Sequence, residues 1–293
     1  PKALKAAPLL RRWVEKLRKQ GVDFRLSHRL VSLTSGKASF EGPEGEVKIQ
    51  ANAIILALGG GSWPQTGSDG GWVETLEKTG VKVNPLAPAN CGWEVDWSSD
   101  LAEKLEAQPL KNVVASADDQ IAPGEIMLTR YGMEGGPLYA LGPVLRTMKE
   151  PLLTLDFKPT FTIEKLVGKM ESAKKNFLAE SQYRWKLSGS MRLILDHFHG
   201  PFLSAEHLAQ HTKACCIPLT KTRPIEEAIS SSGGVAWKTI NDQLMIKDLP
   251  GIFVAGEMID WEAPTGGYLL QGCFASGTRA AEAALAFKTS PSC

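Results

Sequence analysis

Cysteine is scarce and unpatterned here: the 293 residues hold Cys91, Cys215, Cys216, Cys273 and Cys293, with no C-x-x-C among them. An odd set without ligand spacing argues against a disulfide framework or a zinc site and points to a reducing, cytoplasmic setting. The vicinal Cys215-Cys216 reads as two small buried hydrophobes rather than a redox pair. Long apolar runs are also missing, and none approaches the roughly 18 residues that span a bilayer, so no membrane partner is expected. Charge of one sign is missing too. Lys plus Arg number 33 against 32 Asp plus Glu, a net +1 that gives nucleic acid nothing to hold. The N-terminal PKALKAAPLLRRWVEKLRKQ is a basic amphipathic helix with no cleavage site, so no signal peptide is expected. Its basic residues over Arg11–Lys19 read as a solvated face. No G-x-S-x-G elbow occurs. His207 and His211 are spaced i, i+4 but have no convergent Cys or carboxylate, so no metal is expected, and His197 and His199 read as structural. The absence with most consequence is G-x-G-x-x-G, which none of the glycine clusters at 59–61, 67–71, 135–136, 233–234 and 266–267 supplies.

What is present is glycine in two well-defined places. The first is Ala53–Trp72, AIILALGGGSWPQTGSDGGW. An apolar run, Ala53–Leu58, ends abruptly in Gly59, Gly60 and Gly61; it suits a buried parallel strand, and the glycines let backbone approach a ligand closely. The stretch Gly67–Gly71 then opens a helix through Trp72, Leu76 and Lys78. Strand, glycine turn and helix is where open α/β sheets bind nucleotides.

The second is Gly251–Ala281, GIFVAGEMIDWEAPTGGYLLQGCFASGTRAA. Ile252–Ala255 forms a strand ending in Gly256, with Glu257 and Asp260 just beyond it and Thr265-Gly266-Gly267 opening the last helix. A carboxylate at a strand end accepts hydrogen bonds from ribose or ribityl hydroxyls. A helix N-terminus offers free N–H groups and positive potential to a pyrophosphate or a reduced flavin. Gly272, Ala275, Ser276 and Gly277 let that helix pack closely.

Elsewhere, Leu9, Leu10, Trp13, Val14 and Leu17 predict a helix closed by Gly21. Strands are expected over Val22–Leu26 and Leu30–Leu33, and a hairpin over Ala38–Phe40 and Val47–Gln50. From about Val83 the texture turns to short β-like runs, at Cys91–Val95, Asn112–Ala117, Glu125–Thr129 and Leu152–Phe157. Helices follow over Thr162–Met170, Glu171–Leu187 and Ser204–His211. The earlier style returns from Thr220, with a strand edge at Asp242–Ile246 and a long helix over Leu269–Phe287.

These two segments, with KTRPIEEAISSSGGVAW (Lys221–Trp237) between them, resemble the FAD-binding flavoproteins of the aminoacetone-oxidase type, relatives of the bile-acid-dehydroxylation reductases. The resemblance spans most of the chain and is most specific at GEMIDWEAPTGGYLLQGCFASG. It implies an α/β fold, with a glutathione-reductase-type, Rossmann-like FAD domain in residues 1–83 and 218–293 and a β-plus-helical insert in 84–217. It further implies that Leu30 and Val31 lie by adenine, that Gly59, Gly60 and Ser62 pass the adenosine and ribose, and that Glu257 and Asp260 sit by the ribityl chain and pyrophosphate. Gly266, Gly267, Tyr268 and Leu269 would meet the isoalloxazine ring. Arg223 and a turn at Ser230–Gly234 would lie near the flavin face or the insert.

The missing G-x-G-x-x-G departs from that family. The chain reads as N-terminally truncated by one crossover unit of roughly 80–110 residues, the unit holding the main pyrophosphate anchor. It is therefore expected to retain FAD weakly or not at all. The leading function is an FAD-dependent oxidoreductase, or the major fragment of one, acting on an unidentified small molecule, with no catalytic acid or base assignable. NAD(P)H would have to dock transiently, because no second dinucleotide fold is present. Two alternatives are a non-redox nucleotide- or partner-binding remnant and an inactive truncated product.

Overall fold

The computed structural model describes residues 5–287; Cys293 lies outside them. The first helix, α1 (Ala6–Lys19), ends as its sequence predicts: Gly21 takes φ +89° and the Val22 amide reaches back to the Leu17 carbonyl at 3.1 Å, a six-to-one closure. Nothing on α1 is buried, and Leu9, Leu10 and Trp13 are exposed. Residues 22–26 are not the strand expected. They pair with no neighbour, and an extended segment without a partner has no ladder to hold it.

Three strands follow as a meander: β1 (Arg29–Thr34), β2 (Lys37–Gly42) and β3 (Gly45–Gln50), in order β1-β2-β3. Next come β4 (Ile54–Leu56) and α2 (Trp72–Glu77). The chain then makes β5 (Val83–Ala89) despite Pro85 and Pro88. Its partner is far along the sequence, and a two-stranded sheet leaves an outer edge where a missing N–H costs nothing.

The next stretch runs β6 (Trp93–Glu94), α3 (Ser99–Leu105), β7 (Pro109–Ala117), β8 (Gln120–Thr129), β9 (Gly132–Glu134), α4 (Gly136–Leu145) and β10 (Leu152–Asp156). After these stand α5 (Ile163–Gly168), α6 (Phe177–Arg184), α7 (Gly189–His199), α8 (Ala205–Lys213) and β11 (Cys215–Pro218). The strands form one six-stranded sheet, β11-β10-β7-β8-β9-β6. The helix expected over Glu171–Leu187 is shorter than that span: the chain stays irregular to Asn176, whose φ of +55° starts α6, and α6 stops at Arg184; Ser188 then caps α7 by accepting from the Met191 amide at 3.1 Å. Cys215 is fully buried while Cys216 is half-exposed, as alternation along β11 requires.

The chain closes with β12 (Ser230–Val235), β13 (Ile252–Val254) and α9 (Tyr268–Ala286). Ser230–Gly234, expected as a turn, is the strand that pairs antiparallel with β5. Gly233 and Gly234 have positive φ at a bulge, and a Cβ on either would lie within 2.4 Å of the Pro85 or Met258 carbonyl oxygen. Close backbone approach, not turn formation, explains those glycines. β13 pairs with β4 in parallel, Ile252 opposite Ile54 and Val254 opposite Leu56.

Two cores result. One is drawn from residues between Trp93 and Leu219, centred on β7, β8, β10 and the helices that cover them. The other joins Leu33, Leu56, Trp72 and Leu76 to Val235, Ile252, Phe253, Val254 and Met258. The parallel pair lies in the second, so the loops after β4 and β13 emerge side by side.

Candidate functional site

Those two loops touch. A Cβ on Gly60 would meet the Ser231 hydroxyl oxygen at 2.5 Å and the Glu257 carboxyl group at 2.9 Å, so only glycine fits there. Ser231, on β12, ties the arrangement together. Its hydroxyl accepts from the Gly61 amide at 2.8 Å and the Ser62 amide at 3.2 Å, while its own amide donates to Glu257 Oε1 at 2.9 Å. The second Glu257 oxygen takes no protein donor among the described residues. Gly59 adopts φ +75°, and its carbonyl accepts from the Trp72 indole at 3.0 Å; the Gly60 carbonyl accepts from the Ser68 hydroxyl at 2.5 Å. The triple glycine is thus held from α2 on one side and from β12 on the other.

A cleft of about 660 Å³ opens over this loop, walled by Gly59, Gly60, Ser62, Trp63, Thr66, Ser68, Ile229 and Glu257. A second, of about 700 Å³, shares Leu58, Gly67 and Ser68 with it and continues past Leu30, Val31, Trp72 and Lys78. At its rim Arg29 pairs with Asp69 at 2.8 Å. Donation from Arg29 and from the Gly71 amide holds the Asp69 carboxyl below its ordinary range.

Beyond Glu257 the loop approaches α9. The Gly256 amide donates to the Ser276 hydroxyl at 2.9 Å, and a Cβ on Gly256 would stand 3.6 Å from Cys273 Sγ. Burial and the nearby Glu257 carboxylate push the Cys273 thiol up, so it stays protonated and is no nucleophile at neutral pH. The outer edge of the Trp261 ring comes so close to α9 that a Cβ on Gly272 would lie 2.2 Å from its Cη2. A third cleft, of about 960 Å³, is walled by Trp237, Ile240, Trp261, Phe274, Ser276 and Arg279.

Leu30, Val31, Gly59, Gly60, Ser62 and Glu257 therefore line two adjoining clefts. Asp260 does not: its carboxylate accepts from Asn84 Nδ2 at 2.6 Å, and it walls none of the three clefts. Gly266, Gly267 and Tyr268 are exposed and Leu269 half-exposed; these four also stand outside the clefts. They begin α9 five residues before Cys273, roughly 7 Å along a helix axis rising 1.5 Å per residue. Arg223 walls none of the three clefts; it is bonded to Glu94 at 2.8 Å and Glu227 at 2.7 Å and stacked 4.5 Å over the Tyr131 ring. Sequence reasoning missed Ser231. SSSGG reads as a turn, and only the pairing of β12 with proline-bearing β5 turns that hydroxyl toward the glycines.

The arrangement suits a long ligand carrying hydroxyl groups. A carboxylate with one oxygen fixed and one spare is a ribose or ribityl acceptor. The N-terminus of α9, with Gly267 supplying no side-chain cap, offers free N–H groups to an anion or an electron-rich ring. The residues present fit an adenine dinucleotide at its hydroxyl-bearing parts. Among the described residues there is no G-x-G-x-x-G helix start of the kind that usually cradles pyrophosphate. Among the described residues no group of three or more His, Cys, Asp or Glu side chains could hold a metal, and no helix is long and apolar enough to cross a membrane.

Comparison with known proteins agrees with this geometry. The residue pattern of the HI0933-like protein Rossmann domain matches residues 1–283. A 3-dehydro-bile acid delta(4,6)-reductase of Clostridium scindens is 26% identical over 309 aligned positions, covering 97% of this chain and 74% of the reductase. The solved structure of Mycobacterium smegmatis Sdh1 in complex with UQ1 aligns with a TM-score of 0.36 at 15% identity, covering 90% of this chain. The chain spans 42% of the Sdh1 chain's length, and a likeness this slight carries no argument.

Proposed function

This chain belongs to the HI0933-like Rossmann-domain family, a family of FAD-dependent oxidoreductases, and from that premise we propose that it forms the larger part of an FAD-dependent oxidoreductase acting as a reductase. The observation that carries the reading is the meeting of Gly60, Ser231 and Glu257 where two parallel strands end. In this reading Leu30 and Val31 bound the adenine, Gly59, Gly60 and Ser62 give the sugar close access to backbone, and Glu257 accepts from a hydroxyl. Gly266 and Gly267 present the start of α9 to the ring. FAD, when bound, supplies the hydride chemistry. The chain's own residues bind, orient and exclude water, and none is assigned as acid or base. The relative is a reductase of a 3-dehydro-bile acid. We carry over the direction of the reaction, with an unidentified small organic acceptor and a transiently docked nicotinamide as reductant. We also propose that 84–217 is an insert, in keeping with its separate core, and that a strand–glycine–helix unit outside this sequence pairs with β4 and completes the pyrophosphate site.

The test is titration with FAD and ADP, followed by flavin fluorescence and calorimetry, on this chain and on one extended by such a unit. Weak saturable binding by this chain, tightened by the extension and weakened by Glu257→Gln, supports the reading. Binding indifferent to Glu257→Gln, or no binding by either chain, defeats it. A non-redox nucleotide-binding role is favoured by the missing G-x-G-x-x-G. It predicts ADP and FAD of equal affinity even in the extended chain.

A further inference from the structure

The helix α4 belongs to the larger core, yet its last side chain works outside it. Arg146, at the α4 C-cap, donates to the Pro88 carbonyl at 3.0 Å and pairs with the Glu262 carboxylate; the two charged side chains are 18% and 21% exposed. A planar guanidinium suits two acceptors held at a fixed angle. Pro88 lies on β5, and Glu262 lies in the loop that leads to Gly266, Gly267 and α9. Asn90 makes a parallel bridge: its amide donates to Ser230 Oγ and to the Ala263 carbonyl, each at 2.8 Å. Ser230 precedes Ser231, which holds Glu257 and the Gly61 and Ser62 amides. Hydrogen bonds joined by short stretches of backbone thus connect α4 to the Ser231–Glu257 end of the candidate site and to the 262–263 loop that precedes α9.

We infer that Arg146 is a positioning residue: by gripping Glu262 it sets the 261–265 loop, and with it the start of α9, against the rest of the binding groove. The inference rests on the flavin reading for its consequence but not for its mechanics. If the purine half binds between Leu30 and Glu257 while the ring half meets α9, loosening the 261–265 loop weakens FAD and spares ADP. A general folding defect weakens both alike.

Two measurements decide it, on wild type, Arg146→Met, Arg146→Lys, Glu262→Gln and the exchanged pair Arg146→Glu with Glu262→Arg. The first is amide hydrogen exchange without ligand. The Asp260 amide, bonded to the Val235 carbonyl, is expected to exchange at least ten-fold faster in Arg146→Met and Glu262→Gln. Ser231 and Gly61 should accelerate less, and β7–β8 amides not at all. Arg146→Lys and the exchanged pair should recover part of the protection. The second is affinity, with FAD weakened about ten-fold by Arg146→Met and ADP unchanged. Unchanged exchange at Asp260, acceleration spread evenly through β7–β8, or equal loss of FAD and ADP each overturns the inference. If neither wild type nor its extended form binds either ligand, the flavin reading fails alone, and the exchange pattern still decides the role of Arg146.

Discussion

At Gly60 a single hydrogen atom decides whether the site exists. Gly60→Ala would drive a methyl group into the Ser231 hydroxyl and the Glu257 carboxyl, both closer than carbon tolerates. Neither neighbour can retreat without releasing the Gly61, Ser62 or Ser231 amide. Overpacking of this kind costs about 1–3 kcal/mol, so a thermal midpoint several degrees lower is expected, together with lost nucleotide affinity. Gly168→Ala meets nothing within 4 Å and serves as the control; equal behaviour of the two variants would refute the argument. Gly60 and Glu257 were legible in the sequence, because glycines after one apolar strand and an acid after another announce a nucleotide edge. Ser231 was not, since its role depends on a strand pairing more than a hundred residues distant in sequence.

Among the elements, α7 and α8 carry a pH dependence that no motif announces. The His199 and His211 rings stack with centroids 4.1 Å apart, and His207 stands edge-on to His211 at 4.9 Å. Burial and the neighbouring imidazoles hold both His199 and His211 below the ordinary value, although His199 also bonds the Cys216 carbonyl at 3.1 Å. A histidine harder to protonate when folded binds fewer protons in the native state than in the unfolded one. Stability is therefore full above the unfolded pKa near 6.5 and falls as pH drops through it toward the lowered native value. Thermal melts at pH 7.5 and 5.5 should show a larger loss for wild type than for His211→Gln, and equal losses would exclude the mechanism. The i, i+4 spacing in α8 was visible in the sequence; the third ring was not, because nothing local brings the end of α7 over α8. A second element, α9, depends on Gly272 lying under Trp261. Gly272→Ala should push the indole aside and enhance its solvent exposure, read as a red shift of tryptophan emission, while Gly277→Ala, with open space around it, should not.

For the whole molecule, the sequence offers a change of texture near Val83 and its reversal near Pro218, and the larger core of the structure is drawn from residues between Trp93 and Leu219. Strands of an antiparallel sheet with one covered face alternate apolar and polar residues, whereas parallel strands covered on both faces read as unbroken apolar runs. Among the described residues β4 pairs with β13 alone, Ile55 on β4 is 41% exposed, and residues 22–26 find no partner. Tyr268, Leu270 and Phe274 of α9 are exposed as well, with the Trp13 ring of α1 edge-on to Phe274 at a centroid separation of 6.2 Å. An open strand edge together with exposed apolar side chains is a template for another chain. The chain as it stands should therefore associate with rising concentration, seen as growth of scattering mass from low micromolar upward. Ile55→Lys places a charge on that edge without touching the β4–β13 hydrogen bonds, so it should delay association while leaving the far-ultraviolet dichroism unchanged. An extended chain that supplies the neighbouring strand should abolish association and bind FAD in the same step. On the proposed reading those two effects share one cause, the pairing of β4, and their separation by experiment would show that strand-edge association and FAD affinity have different origins.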